Sequence, residues 1–98
     1  MLILKEKRSQ KRVQVNLPVI YEYSSEERTN TLEGTMFDLS KSGMCFYSEK
    51  PLFEGLNLQV HCAYIRDFPK VCLVKWCNRQ QYNLYKVGVF FGRKTDYN

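Results

Sequence analysis

The sequence predicts a single small all-β domain. Three observations indicate this class: apolar and polar residues alternate with a period of two, β-branched and aromatic residues gather in short runs, and turn-forming residues separate these runs. Several short strands at such intervals are typical of a small antiparallel barrel or sandwich. With 98 residues, 44% of them hydrophobic, the chain fits one domain with one core and is too apolar for a disordered protein.

The first strand is predicted between Val13 and Tyr23, where every odd position is apolar. Gln14, Asn16 and Glu22 lie at even positions, as expected of a strand with one buried face. Pro18 also lies at an even position. Because proline has no N–H to donate, this strand is expected at an edge of the sheet or to contain a bulge.

The segment LNLQVHCAY, residues 56–64, repeats the alternation and predicts a further strand. Its apolar face carries Leu56, Leu58, Val60, Cys62 and Tyr64. His61 falls on the opposite face, with Asn57 and Gln59, and is expected to be a surface histidine.

Four more strands are predicted at residues 31–39, 43–48, 70–77 and 83–91, which are rich in β-branched and aromatic residues. The breaks between the strands are SSEERTN, SKSG, SEKPLFEG, RDFP and NRQQYN, and only residues 51–55 suggest a turn of helix. The predicted organisation is an arm at residues 1–12, a six-stranded barrel at 13–92 and a tail at 93–98.

The positive charge is concentrated at the start of the chain. The formal net charge is +5, and residues 1–12 carry five positive side chains and one negative side chain, so the other 86 residues sum to +1. Any acidic partner is therefore expected to meet the arm. A basic run of this kind is also what a solvated tail looks like, and charge alone does not separate the two interpretations.

Other function classes find little support in the residues. Cys45, Cys62, Cys72 and Cys77 lack C-x-x-C spacing, so we expect small buried hydrophobic side chains and no metal site. Neither a nucleophile–base pair nor paired carboxylates stand at suggestive spacing, which predicts no enzyme. No apolar run reaches the ~18 residues that a membrane span needs, and MLIL is too short for a signal peptide, so a cytoplasmic protein is expected.

The arm contains the pattern R-x-x-x-R at Arg8 and Arg12. At this spacing the two side chains share a face in a helix, and they also share one in a strand, about 13 Å apart at ~3.3 Å per residue. A guanidinium group binds phosphate or the O6/N7 edge of guanine with two parallel hydrogen bonds and also stacks on bases.

A second polar motif, D-x-S-x-x-G, is formed by Asp38, Ser40 and Gly43 between two predicted strands. Asp38 has the chemistry to accept hydrogen bonds from the N1–H and N2–H₂ groups of guanine, and Ser40 to donate to a phosphate. Gly43 permits a turn or a close backbone approach. An Asx-type turn, in which Asp and Ser cap the backbone, explains the same residues without a ligand.

Taken together, the two motifs resemble the PilZ domain family. Arg8 and Arg12 match its arginine motif, Asp38, Ser40 and Gly43 match its second motif, and the hairpin VKWCNRQQYNLYKVGVFF is also similar. The resemblance covers residues 5–92 and implies a six-stranded antiparallel barrel that binds cyclic di-GMP. It further implies that a flexible arm closes over the ligand and changes the surface that a downstream protein meets.

The chain departs from the family pattern in two respects. Lys7 stands where many members have a further arginine, and lysine keeps the charge but loses the planar fork. Lys7 is still expected at the ligand, with one or two ligand molecules left open. Many members also continue into a C-terminal helix, which RKTDYN does not supply, so a partner or a second copy of the chain is a candidate to cover that surface.

Two further interpretations stay open. One is a basic barrel that binds single-stranded nucleic acid through its seven Tyr, six Phe and one Trp, although most of these lie on the apolar phase of the strands. The other is a PilZ-like adaptor without a ligand, which would not need both arginines. Nucleic acid is not the expected partner, and no cofactor besides the ligand is expected.

Overall fold

Six antiparallel strands form the described part of the chain, as predicted. A computed structural model describes residues 11–92. The strands are β1 Val13–Ser25, β2 Arg28–Leu39, β3 Gly43–Ser48, β4 Asn57–His61, β5 Lys70–Gln81 and β6 Leu84–Phe91. Their order around the sheet is β1-β2-β3-β6-β5-β4, and β4 pairs with β1, so the sheet closes into a barrel. The expected barrel architecture is confirmed.

The barrel interior is filled by the apolar phase of the strands. Tyr21, Met36, Phe46, Val60 and Val87 are completely buried. The phenol oxygen of Tyr21 lies 2.6 Å from the hydroxyl oxygen of Ser48, so the polar end of this core side chain has a partner. Because buried residues alternate with outward-facing ones, each strand presents a second set of side chains to the outer surface.

Two hairpins are longer than the sequence predicted. β2 begins at Arg28 instead of residue 31, and β5 continues to Gln81 instead of ending at 77. The added residues pair with their neighbouring strand but are largely exposed on both faces, as the register Asn78 with Lys86 illustrates. Because these residues have no buried face, they show no apolar alternation, and the strands predicted from that alternation were too short.

The prediction that Tyr64 belongs to a buried strand face is wrong. The sequence placed Tyr64 on the apolar face of a strand, but β4 ends at His61 and Tyr64 is 69% exposed. The predicted helical turn near residues 51–55 is a non-helical turn. Three of the four cysteines, Cys45, Cys62 and Cys72, are buried as expected, whereas Cys77 is half-buried.

Pro18 lies opposite Thr35, inside β1 and not at the edge of an open sheet. The predicted bulge is present, between Gln14 and Leu17. β4 pairs with β1 only from Ile20 to Glu22, so no β4 carbonyl requires an N–H from position 18. A second bulge interrupts the β2–β3 ladder between Met36 and Asp38. Both irregularities lie at the end of the barrel that carries Asp38.

Candidate functional site

Asp38 lies on the outer face of the barrel at the end of β2. Its backbone partners are Gln14 in β1 and Cys45 in β3, and each of these two ladders has a bulge between the Asp38 pair and the Met36 pair. Bulges bend a strand and redirect its side chains, and they are frequent beside binding sites. The two bulges therefore set the direction in which the Asp38 carboxylate points.

Arg12 meets this carboxylate directly. The Nε of Arg12 donates to Oδ2 of Asp38 at 2.9 Å. The hydrogen bond with Asp38 raises the pKa of Arg12 above its ordinary value, so this guanidinium stays charged. The Arg12 side chain is 55% exposed and that of Asp38 is 22% exposed. Exposed pairs of this kind contribute only about 0–1 kcal/mol to stability, so the geometry matters more than the energy.

The second oxygen of Asp38 is buried and has no hydrogen-bond partner among the described residues. Oδ1 accepts no hydrogen bond from any of residues 11–92. Leaving a buried acceptor unsatisfied costs about 1–3 kcal/mol. A donor that reaches this oxygen would recover that cost, so Asp38 is suited to accept a hydrogen bond from a bound group.

Cys45 fixes the other side of the Arg12 guanidinium. Nη2 of Arg12 donates to Sγ of Cys45 at 3.5 Å, beneath the arginine. Burial raises the pKa of the Cys45 thiol, so the sulfur remains a neutral, weak acceptor. The two contacts use Nε and Nη2, and within the described part of the chain Arg12 makes no hydrogen bond from Nη1. The guanidinium plane is thus held from two sides, while Nη1 has no hydrogen-bond partner among residues 11–92.

Ser40 and Gly43 close the turn between β2 and β3. The backbone N–H of Ser40 and its hydroxyl both donate to the carbonyl of Gly43, at 2.9 and 3.2 Å. Ser40 is buried, at 8% exposed, and its hydroxyl is engaged in the turn. This is the alternative explanation that the sequence offered for the motif. A Cβ at position 43 would lie 2.2 Å from the carbonyl oxygen of Val89, so glycine permits β3 to approach β6.

Trp76 adds an aromatic surface that the sequence motifs did not identify. Its indole lies over Gly88, where a Cβ would come within 2.2 Å of the ring, and it is 38% exposed. Trp76, Gly88, Lys75, Gly43 and Arg12 line one shallow pocket of about 120 Å³. The sequence shows one Trp and a glycine on the two strands of a hairpin. It does not show that they face each other, because that depends on the strand register.

Lys7 and Arg8, the other two residues predicted at the site, lie outside the described residues. The pairing of Arg8 with Arg12 across one face therefore stays a prediction, and so does the division into arm, barrel and tail. The pocket beside Arg12 has two cations among its described lining residues, Arg12 and Lys75, and no carboxylate lines it there. An anionic ligand with flat aromatic groups would match this combination of charge and indole surface.

Other chemistry is sparse in the described region. His61 lies 2.6 Å from the carboxylate of Glu22 on the outer face, consistent with the predicted surface position. No group of three or more His, Cys, Asp or Glu side chains within residues 11–92 is placed to hold a metal ion. The described residues also contain no helix long and apolar enough to cross a membrane.

Comparison with protein families gives a match over most of the chain. The family model for the PilZ domain matches residues 6–96. No curated protein matches the chain. The matched range includes both polar motifs, all six strands and nearly the whole length of the sequence. On this coverage, together with the six-stranded closed barrel, the chain belongs to the PilZ domain family.

Proposed function

We propose that this chain is a non-catalytic receptor for cyclic di-GMP that passes ligand binding on to a partner protein. PilZ domains as a family are cyclic di-GMP receptors, and the chain belongs to that family. The observation that carries the proposal is the Arg12–Asp38 pair, in which part of the guanidinium fork and one buried carboxylate oxygen are available together.

Each part of the pair suits a different part of the ligand. Cyclic di-GMP carries two phosphate charges and two guanines. The outward part of the Arg12 fork matches a phosphate oxygen or the O6/N7 edge of guanine. Oδ1 of Asp38 matches the N1–H and N2–H₂ donors, which adenine does not present at these positions.

The other residues predicted at the site take supporting roles. Arg8 supplies a second guanidinium and Lys7 a charge without a fork, both from the arm. Gly43 lines the pocket without a side chain, so β3 and β6 stay close together beneath it. The Ser40 hydroxyl donates within its turn, so it acts on a ligand phosphate only if it leaves Gly43. Trp76 offers a face on which a guanine can stack, which typically contributes about 1–3 kcal/mol per base.

Ligand binding is expected to draw the arm against the barrel and so to change the surface beside Arg12. The arm carries most of the net charge, and neutralising it with two phosphates alters how that surface meets a partner. The proposal places the protein in the cytoplasm, where the nucleotide and a partner would both be available.

The test is calorimetric titration of the full chain with cyclic di-GMP, followed by cyclic di-AMP. The expected result is saturable heat with cyclic di-GMP and much weaker binding of cyclic di-AMP. Asp38→Ala is expected to reduce the difference between the two nucleotides. The measured stoichiometry, in the wild type and in Lys7→Arg, reports whether one or two ligands bind.

Absence of heat and of chemical-shift change at millimolar cyclic di-GMP would contradict the receptor proposal. Two alternatives separate at that point. Binding of single-stranded oligonucleotides with a steep salt dependence would favour a nucleic-acid-binding barrel. A chain that binds neither nucleotide nor oligonucleotide would fit a ligand-free adaptor.

A further inference from the structure

A second concave surface lies on the outer face of the barrel, away from Arg12. It has a volume of about 880 Å³, within the usual range for ligand-binding clefts. We call it the lateral groove and define it by six of its lining residues: Pro18, Ile20, Glu33, Tyr47, Tyr64 and Phe68. Within the described chain, it shares no lining residue with the pocket beside Arg12.

Strand register explains how the groove forms. Ile20 of β1 lies between its two cross-strand partners, Glu33 in β2 and His61 in β4. Ile20 points outward and is 44% exposed. Tyr64, just beyond the end of β4, is 69% exposed beside it. Apolar side chains that face water together around a concave surface are typical of interaction sites.

The charge of the lateral groove is opposite to that of the Arg12 pocket. Glu33 and Glu49 line the groove, and no lysine or arginine of the described chain does so. The Arg12 pocket has the reverse arrangement, with Arg12 and Lys75 and no carboxylate among its described lining. In a chain of net charge +5, the lateral groove is therefore a place where phosphates are disfavoured and cations are favoured.

One wall of the lateral groove is connected to the residues beside Arg12. The ring of Tyr47 packs on Phe37, with 4.5 Å between the ring centroids. Phe37 directly precedes Asp38 in the bulged part of β2. A shift of Asp38 on ligand binding would therefore act on Phe37 and, through ring packing, on the groove wall at Tyr47.

We propose that the lateral groove docks a segment of the downstream protein in which an apolar anchor is followed by lysine or arginine residues. The anchor covers Ile20 and Tyr64, and the basic residues pair with Glu33 and Glu49. Ligand bound at Asp38 changes the affinity of this docking through Phe37 and Tyr47. The regulatory part rests on the proposed function, whereas the docking chemistry does not.

The test is an NMR titration of the ¹⁵N-labelled full chain with a synthetic peptide, a Leu-Ile-Leu anchor followed by three lysines. The expected result is saturable shift changes at Ile20, Tyr47 and Tyr64, and none at Trp76. Two matched peptides serve as controls, one with glutamates in place of lysines and one with serines in place of the anchor. Each is expected to bind at least tenfold more weakly.

Charge reversal on the protein is the second part of the test. The double variant Glu33→Lys, Glu49→Lys is expected to bind the basic peptide at least tenfold more weakly. Glu54→Lys makes the same charge change as Glu33→Lys alone, at an exposed position that does not line the groove, and it is expected to leave peptide binding within twofold. All three substitutions are expected to leave cyclic di-GMP binding within about twofold.

Several results would overturn docking of a basic segment. These are no peptide binding at millimolar concentration, equal binding of the glutamate peptide, or equal loss in Glu54→Lys. Concentration-dependent shifts at Ile20 and Tyr64 without peptide would instead assign the groove to a second copy of the chain.

Measuring the peptide with and without saturating cyclic di-GMP tests the regulatory part. At least a threefold change in peptide affinity is expected, and an unchanged affinity would overturn the coupling. Peptide binding in the groove of a chain that does not bind cyclic di-GMP would overturn the proposed function while supporting the docking chemistry.

Discussion

Arg12 combines two contacts that together determine its orientation. A single hydrogen bond leaves a guanidinium free to rotate, whereas Asp38 on Nε and Cys45 on Nη2 hold its plane from two sides. The fork is pre-organised toward the pocket, so less conformational entropy is lost when a ligand binds. Because Arg12 is mostly exposed, these contacts contribute more to orientation than to folding stability.

Replacing Arg12 separates its charge from its geometry. Arg12→Ala is expected to weaken the binding of cyclic di-GMP by about 1.5–3 kcal/mol for each charged hydrogen bond lost, which is at least a tenfold increase in Kd. Arg12→Lys keeps the charge but not the fork, and is expected to bind with intermediate affinity. Calorimetry measures both, with thermal unfolding as the control. Wild-type affinity in Arg12→Lys would show that only charge at this position matters.

Cys45 is expected to act as a positioning residue for Arg12. Cys45→Val keeps an apolar side chain but removes the sulfur that accepts from Nη2, and we expect a three- to tenfold weaker affinity for cyclic di-GMP. Cys45→Ser retains an acceptor and is expected to stay within about twofold. The Nε–H resonance of Arg12, recorded without ligand, should broaden in the valine variant alone. Equal affinities in the two variants would argue against this role.

At the level of elements, the site depends on irregularities in regular strands. The two bulges in β1 and β2 turn Asp38 outward, and glycine at positions 43 and 88 lets a strand or an indole lie close to β6. Sequence alternation predicted where the strands are, because one face of each is buried. It did not predict the pairing of Trp76 with Gly88, since cross-strand neighbours depend on register.

The close approach of Trp76 to Gly88 predicts a non-additive pair of substitutions. Gly88→Ala is expected to destabilise the fold by about 1–3 kcal/mol, because its Cβ would overlap the indole. In a Trp76→Ala background the same change is expected to cost less than about 0.5 kcal/mol, and urea denaturation of the four proteins measures the coupling. The same cost in both backgrounds would mean that the overlap with the indole is not the cause.

Across the whole molecule, two concave surfaces of one barrel carry opposite charges. The cations of the Arg12 pocket and the carboxylates of the lateral groove lie on different parts of the outer surface, while the core is almost entirely apolar. Barrel closure makes this arrangement possible, because it removes open sheet edges over the paired segments and leaves the outer faces for binding.

The core also predicts how the whole fold responds to alkaline pH. Burial raises the pKa of Cys72 from its ordinary value of 9.0 to about 12. Above pH 9 the unfolded chain loses this proton while the folded chain keeps it, so stability is complete below pH 9 and declines as pH rises toward 12. Burial also raises the pKa of Tyr21, which acts in the same direction from about pH 10.

Urea denaturation from pH 8 to 11 measures this decline. Cys72→Ala is expected to be less stable at pH 8, because it leaves a cavity, but to lose stability less steeply with pH. The slope difference is expected to reach about 1.4 kcal/mol per pH unit at most, the value for one proton. Parallel curves for the two proteins would mean that Cys72 does not contribute to the alkaline decline.

The sequence by itself determined the class of fold, the number of strands and the two polar motifs, because a buried face imposes a period of two and site chemistry needs particular residue types. It also predicted Asp38 and Arg12 as partners of one site, which the 2.9 Å ion pair brings together. Only the tertiary structure decided that Ser40 donates within its turn, that Cys45 holds Arg12 and that Trp76 covers Gly88. The contacts of Cys45 and Trp76 join residues far apart in the chain, and the register that creates them comes from barrel closure and bulges, which no local pattern specifies. The Ser40 contact is local, but its residue types fit a turn and a ligand equally well.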